Sequence, residues 1–129
     1  MLQIMTENEL AKIVVGICLK IHRILGPGLL ESVYEEALCY ELAKAGLHFK
    51  RQQGISFMYE EVKMDLGFRS DVIVEDKLMI ELKSVETVAP VHYKILLTYL
   101  RLTNIKLGLM INFNVELLKD GIKRVVNNL

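Results

Sequence analysis

The segment FRSDVIVEDKLMIELKS, residues 68–84, constrains the fold most strongly, because its apolar residues fall into two short runs separated by charged residues. Two such runs around a short polar loop predict a β-hairpin with strands at residues 68–74 and 78–84. Successive side chains of a strand point to opposite faces, so Glu81 and Lys83 share one face of the second strand. Charges on the inner face of a sheet are costly unless a partner neutralises them. The hairpin must therefore bring a partner to these two charges.

The length of the hairpin loop decides where the acid of the first strand lies. A loop of three residues, 75–77, places Asp71 directly opposite Glu81 with Cβ atoms ~5 Å apart. A loop of two residues would place Asp71 opposite an apolar residue instead. Two carboxylates ~5 Å apart repel by roughly 3 kcal/mol at an effective dielectric near 20. Lys83 relieves part of this repulsion, and a divalent cation relieves more. The alternative is an ordinary surface face with a neighbouring Glu–Lys pair.

The rest of the chain adds three helices and one or two further strands to the hairpin and the strand before it. Thr6 and Glu9 form a capping box at the start of the first helix, and Pro90 suits the first turn of the third. The predicted elements are helices from Thr6 to the Gly-Pro-Gly of residues 26–28, at 29–45 and at 90–102, strands at 49–58 and 105–113, a turn or strand end at 59–65, and a short strand or helix turn at 121–127. This order predicts one α/β domain, residues 1–129, with a mixed sheet.

Charge composition argues against an obvious nucleic-acid-binding surface. The 129 residues include 16 basic and 16 acidic side chains, whereas phosphate binding usually leaves a basic excess. A local basic patch is still compatible with this balance. Five basic residues could flank a nucleic-acid groove, or could simply form a solvated face: Arg69, Arg101, Lys119, Lys123 and Arg124.

No targeting or membrane signal is visible along the chain. No apolar run reaches the ~18 residues that a membrane-spanning helix needs. The N-terminal residues MLQIMTENEL lack the charged-then-apolar pattern of a secretory signal. We therefore expect a cytoplasmic protein with no membrane partner.

Several further motifs carry a resemblance to a known family. GLLESVYEEAL, residues 28–38, has the spacing G-x-x-E-x-x-Y, and the hairpin is followed by YLRLTNIKLGLMINF and GIKRVVN. Together these segments resemble small bacterial and archaeal proteins named after that spacing, which are placed in the PD-(D/E)XK nuclease superfamily. The resemblance covers residues 6–127. It implies a restriction-endonuclease-like αβββαβ core, with a mixed central sheet flanked by helices and an extra N-terminal helix.

The resemblance also implies a catalytic metal site on the hairpin. Asp71 matches the first acid of the motif, and Glu81 and Lys83 match its E-x-K. Glu31 matches the acid that the first core helix contributes, although an acid in a first turn is also favoured by the helix dipole. The implied catalytic residues are therefore Asp71, Glu81, Lys83 and Glu31, with the three acids holding Mg²⁺ or Mn²⁺. Lys83 would orient or deprotonate the attacking water.

Three further residues are candidates for contacts with a nucleic-acid substrate, with DNA expected before RNA. Tyr34 lies one helical turn after Glu31 and could contact a phosphate, or could be an aromatic at the edge of the core. Tyr99 lies on the predicted third helix and could line the site or serve packing alone. Arg69 would lie at the edge of the same groove.

One departure from the family pattern concerns activity. The family usually has AQLLTYL in the helix after the hairpin, where the Gln makes hydrogen bonds at the site, but this chain reads KILLTYL and has Ile95 at that position. Two functions are therefore open, a Mg²⁺-dependent nuclease and a non-catalytic module for nucleic-acid binding or assembly that retains the fold. The second function also predicts a homodimer formed through the apolar first helix.

Overall fold

The computed structural model describes residues 4–129, with the side chains of residues 66–68 outside the description. Thr6 caps the first helix, because its Oγ1 accepts a hydrogen bond from the Glu9 N–H (3.2 Å). The elements are helices α1 (Glu7–Leu25), α2 (Glu31–Lys44) and α3 (Pro90–Thr103), strands β1 (Phe49–Tyr59), β2 (Val62–Val74), β3 (Leu78–Lys83), β4 (Leu107–Asn112) and β5 (Ile122–Val126), and a 3-10 turn at Leu118–Gly121.

These described strands form one mixed sheet in the order β1-β2-β3-β4-β5. The first three strands are antiparallel neighbours, and β4 pairs in parallel with β3. A parallel neighbour requires a crossover connection, which α3 supplies. The order α2-β1-β2-β3-α3-β4 is the predicted αβββαβ core, and α1 is the extra N-terminal helix. The predicted α/β fold is therefore confirmed.

The helices cover both faces of the sheet. Apolar side chains of α1 and α2 pack on the face that carries Val72 and Ile80. Leu96 and Leu100 of α3 pack on the opposite face with Met79. Because side chains alternate along a strand, Glu81 and Lys83 lie on the same face as Met79, under α3. The catalytic candidates of the hairpin therefore lie on the α3 side of the sheet.

The apolar side of α1 belongs to the core of the chain itself. Leu10, Val14 and Ile21 are almost fully buried against the sheet and α2. The face that suggested a dimer interface is therefore already covered, and the homodimer stays a prediction. No helix within residues 4–129 is long and apolar enough to cross a membrane.

Residues 59–65 were predicted as a turn or strand end, and they contain the end of β1, a short turn and the start of β2, which begins six residues before the predicted residue 68. Only Glu60 and Glu61 form the turn, and β2 begins at Val62. The acidic and basic side chains of this stretch hide the strand pattern, because Val62 and its neighbours are exposed and do not pack into the core. As a result, β1 and β2 run on past the end of β3. We call residues 56–67 the β1–β2 arm.

Candidate functional site

The register of the β2–β3 hairpin is that of a three-residue loop, the first of the two loop lengths considered from the sequence. Val74 pairs with Leu78, and the ladder continues to the pair of Val72 and Ile80. At the next position it is the side chain of Asp71 that contacts β3, because the Leu82 N–H donates a hydrogen bond to Asp71 Oδ2 (2.8 Å). The carboxylate of β2 thus holds this end of β3, and it lies beside Glu81 as the register requires.

The hairpin charges line one cavity of about 280 Å³ at the end of the sheet. β2 and β3 supply its charged floor, α3 supplies one wall, and the start of α2 supplies another. The lining residues are Glu31, Arg69, Asp71, Glu81, Lys83, His92, Ile95, Leu96, Tyr99 and Met110. The structure therefore brings together the four predicted catalytic residues and two of the three predicted substrate contacts.

Glu81 has the most perturbed environment in this cavity. Its residue is 9% exposed, and its Oε1 is buried with no hydrogen-bond partner among the described residues. Burial first, then the charge of Asp71 and a hydrogen bond with its side chain, raise the pKa of Glu81 to about 8, while a hydrogen bond with the Asp71 backbone and the charge of Lys83 oppose the shift. A buried carboxyl with an unused oxygen is costly, and strongly shifted acids are common at functional sites.

The acid pair suits a small hard cation. Mg²⁺ is commonly held by one or two carboxylates together with water molecules, and Asp71 and Glu81 provide two adjacent carboxylates. The described residues contain no group of three or more acidic, histidine or cysteine side chains that could hold a metal. Glu31 lies on the cavity wall but does not complete such a group, and its role at the metal stays a prediction.

Two of the predicted substrate contacts lie on the cavity. Arg69 is exposed at its rim on β2. Tyr99 is half-buried on α3, where burial and the charges of Glu81 and Asp71 raise the pKa of its hydroxyl. The hydroxyl of Tyr99 is thus close enough to the acid pair to feel both charges.

Comparison with known families agrees with this geometry. A model of the PD-(D/E)XK nuclease superfamily matches residues 8–125. The chain belongs to the PD-(D/E)XK nuclease superfamily. The match extends over α2, the hairpin and α3, the elements that build the cavity. No curated protein and no solved structure matches the chain. The finer resemblance to the G-x-x-E-x-x-Y proteins stays a prediction.

The structure corrects the role expected for Tyr34 in this superfamily member. Tyr34 is fully buried, and its ring stacks on Phe113 with centroids 4.2 Å apart. Its hydroxyl donates to the Gly26 carbonyl (2.6 Å) and accepts from the Leu29 N–H (3.1 Å). A side chain in this position cannot contact substrate. Tyr34 instead fixes the loop from which α2 presents Glu31.

Two cavity features on α3 bear on nuclease chemistry. Ile95 lies on the wall and is 38% exposed, so the departure from the family pattern falls at the site itself. His92, in the first turn of α3, lies on the same wall. From the sequence, only the position of His92 on α3, one turn before Ile95, could have indicated that His92 lies at the site.

Sequence reasoning also missed a glutamine on β1. The Gln52 Nε2 lies 2.7 Å from Glu35 Oε1 and 3.4 Å from Asp71 Oδ1. The pairing of β1 with β2 places Gln52 beside Asp71. That pairing could not be counted from the sequence, because the turn between the two strands was not located.

Proposed function

We propose that the protein is a Mg²⁺- or Mn²⁺-dependent nuclease that hydrolyses phosphodiester bonds in DNA or, less favoured, in RNA. The observation that carries this proposal is the meeting of Asp71, Glu81 and Lys83 in one cavity, where Glu81 Oε1 has no hydrogen-bond partner among the described residues. DNA comes first because the resemblance is to restriction-endonuclease-like proteins. The cytoplasmic location and the homodimer are carried as further predictions.

The acidic and basic residues of the cavity would have different roles. Asp71 and Glu81 would hold the cation, with Glu31 contributing from the wall. When bound, such an ion polarises a phosphoryl oxygen and promotes attack by water. Lys83 lies two residues after Glu81 on the same face of β3, and it would orient the attacking water. Arg69 at the rim supplies a guanidinium that suits a substrate phosphate.

The proposal is tested by cleavage and by metal binding. Labelled single-stranded, duplex and branched DNA, together with RNA, is incubated with the protein in Mg²⁺, Mn²⁺ or EDTA. We expect cleavage only with a metal ion. Calorimetric titration with Mn²⁺ should show binding that Glu81→Gln abolishes. Purified protein that cuts none of these substrates with either ion would contradict the proposal.

Matched variants distinguish the loss of a site residue from the general effect of removing a charge. Asp71→Asn, Glu81→Gln and Lys83→Met should each reduce cleavage by at least roughly 100-fold, the scale on which removing electrostatic stabilisation acts. Asp76→Asn is the control, because Asp76 lies in the exposed hairpin loop and contacts Lys50 (3.0 Å). It removes one acid of the same hairpin and should leave cleavage unchanged.

Ile95 favours a second candidate, a non-catalytic module that binds nucleic acid or assembles with a partner. An isoleucine on the cavity wall can neither donate nor accept a hydrogen bond where the family uses an amide. This candidate predicts nucleic-acid binding that is independent of Mg²⁺ and a protein that does not bind Mn²⁺. A gel-shift titration in EDTA, set beside the calorimetry, distinguishes it from the nuclease.

A further inference from the structure

We propose that Gln52 is a positioning residue that holds the Asp71 carboxylate ready for the cation, through a chain from Glu35 to Gln52 to Asp71. The inference rests on the proposed function, since it assigns a residue outside the acid–acid–lysine set to the same site. It predicts that metal affinity depends on a side chain that does not itself bind the metal.

Gln52 has an unusual backbone conformation. Its φ is +47°, a conformation that residues other than glycine rarely adopt. Gln52 lies between the β1–β2 pairs Arg51–Val72 and Gln53–Ser70, so by count it faces Asp71. Unusual backbone of this kind persists where the surroundings impose it, and it is frequent at functional sites.

The anchor of Gln52 is a buried carboxylate on α2. Glu35 is 9% exposed, and Arg51 donates to its Oε2 from both Nε (3.2 Å) and Nη2 (3.0 Å). The other oxygen, Oε1, accepts from Gln52 Nε2 (2.7 Å). Both oxygens of Glu35 are therefore engaged, and the Gln52 amide is fixed at one end.

The other end of the amide contact reaches the site. A primary amide has two N–H donors, and Gln52 Nε2 also lies 3.4 Å from Asp71 Oδ1. Glu35 and Asp71 are both acceptors, so the NH₂ side of the amide must face them. Asp71 Oδ2 is already held by the Leu82 N–H (2.8 Å). Gln52 thus completes the support of the carboxylate by a second donor.

A neutral amide suits this position better than a charged donor would. It orients Asp71 without adding a positive charge that would repel a cation. Residues that orient metal ligands typically change metal affinity or activity 10–100-fold when they are replaced. We therefore expect the same range for the loss of Gln52.

The test measures Mn²⁺ affinity and thermal stability together in the full chain. Gln52→Met keeps the length of the side chain but removes the donors. Gln52→Gly also removes them, yet it suits the positive φ and should keep or raise the melting temperature. Both variants should bind Mn²⁺ roughly 10–100-fold more weakly than the wild type. A purely structural role would instead move affinity and stability in the same direction in Gln52→Gly.

The neighbouring glutamine provides the matched control. Gln53 is exposed, as Gln52 is, but its amide donates to the Gly54 carbonyl (3.5 Å) instead of to Asp71, so Gln53→Met should leave Mn²⁺ affinity unchanged. If the wild type binds Mn²⁺ and both Gln52 variants bind equally well, the inference alone is overturned. If the wild type does not bind Mn²⁺, the proposed function falls, and the inference falls with it.

Discussion

Asp71 serves the backbone and the cavity at the same time. One carboxylate oxygen accepts the Leu82 N–H (2.8 Å), and the other faces the amide of Gln52 (3.4 Å). The same carboxylate raises the pKa of Glu81 through its charge. Removing Asp71 therefore relieves a repulsion and deprives a buried backbone donor of its acceptor, two effects of opposite sign.

Two substitutions at Asp71 separate these effects. Asp71→Asn and Asp71→Ala both remove the negative charge, but only Asn keeps an oxygen that can accept from Leu82. Because an unsatisfied buried donor costs ~1–3 kcal/mol, we expect Asp71→Ala to be less stable than Asp71→Asn by about 1 kcal/mol. Urea unfolding at one pH measures the difference. Equal stability of the two variants would show that the Leu82 hydrogen bond contributes nothing.

At the scale of elements, the loop before α2 decides where Glu31 lies. Gly26 and Gly28 have φ of +74° and +88°, which glycine adopts at little steric cost. Tyr34 bonds this loop at the Gly26 carbonyl and the Leu29 N–H. The G-x-x-E-x-x-Y spacing thus combines a loop residue, an acid on the cavity wall and a buried anchor.

Tyr34→Phe tests the anchor without changing the packing of the ring. It removes one hydroxyl and leaves the Gly26 carbonyl and the Leu29 N–H without this partner. Each lost hydrogen bond is worth ~0.5–1.5 kcal/mol, so we expect a loss of about 1–2 kcal/mol in the free energy of unfolding. Tyr40→Phe is the control on the same helix, because Tyr40 is 66% exposed. Similar stability of both variants in chemical denaturation would contradict the anchoring role.

The sequence predicted elements whose signals are local and missed those that depend on distant pairing. The apolar runs predicted the hairpin but left its loop at two or three residues, and the structure decides for residues 75–77, the loop that brings Asp71 beside Glu81. The spacing of Tyr34 from Glu31 placed both residues on the same side of a helix. It did not show that Tyr34 is buried beneath the loop before α2. Gln52 carries no charge pattern, and its position depends on how β1 pairs with β2.

For the molecule as a whole, Glu81 links folding to pH. Its pKa rises from 4.5 to about 8 in the folded protein, so between these values the folded state binds more protons than the unfolded state. Stability then falls as pH rises through this window. Below about pH 4.5 the carboxyl is protonated in both states, and above about pH 8 the loss is complete.

Glu81→Gln should flatten this dependence, because an amide does not titrate. The wild type should lose on the order of a few kcal/mol between pH 5 and 8, at about 1.4 kcal/mol per pKa unit. Denaturant unfolding across this range, in the presence of EDTA, measures the slope for both proteins. If Glu81→Gln shows the same slope of stability against pH as the wild type, the pH dependence arises from other groups.

The β1–β2 arm divides the molecule into parts with different protection from local unfolding. Residues 56–67 extend past the end of β3, and the tip side chains Met58, Tyr59 and Val62 are exposed. Strands with few buried contacts open at lower free energy than the core. Amide hydrogens at the tip therefore exchange with solvent through local fraying, whereas those of Ile73 and Met79 exchange only when the whole sheet opens.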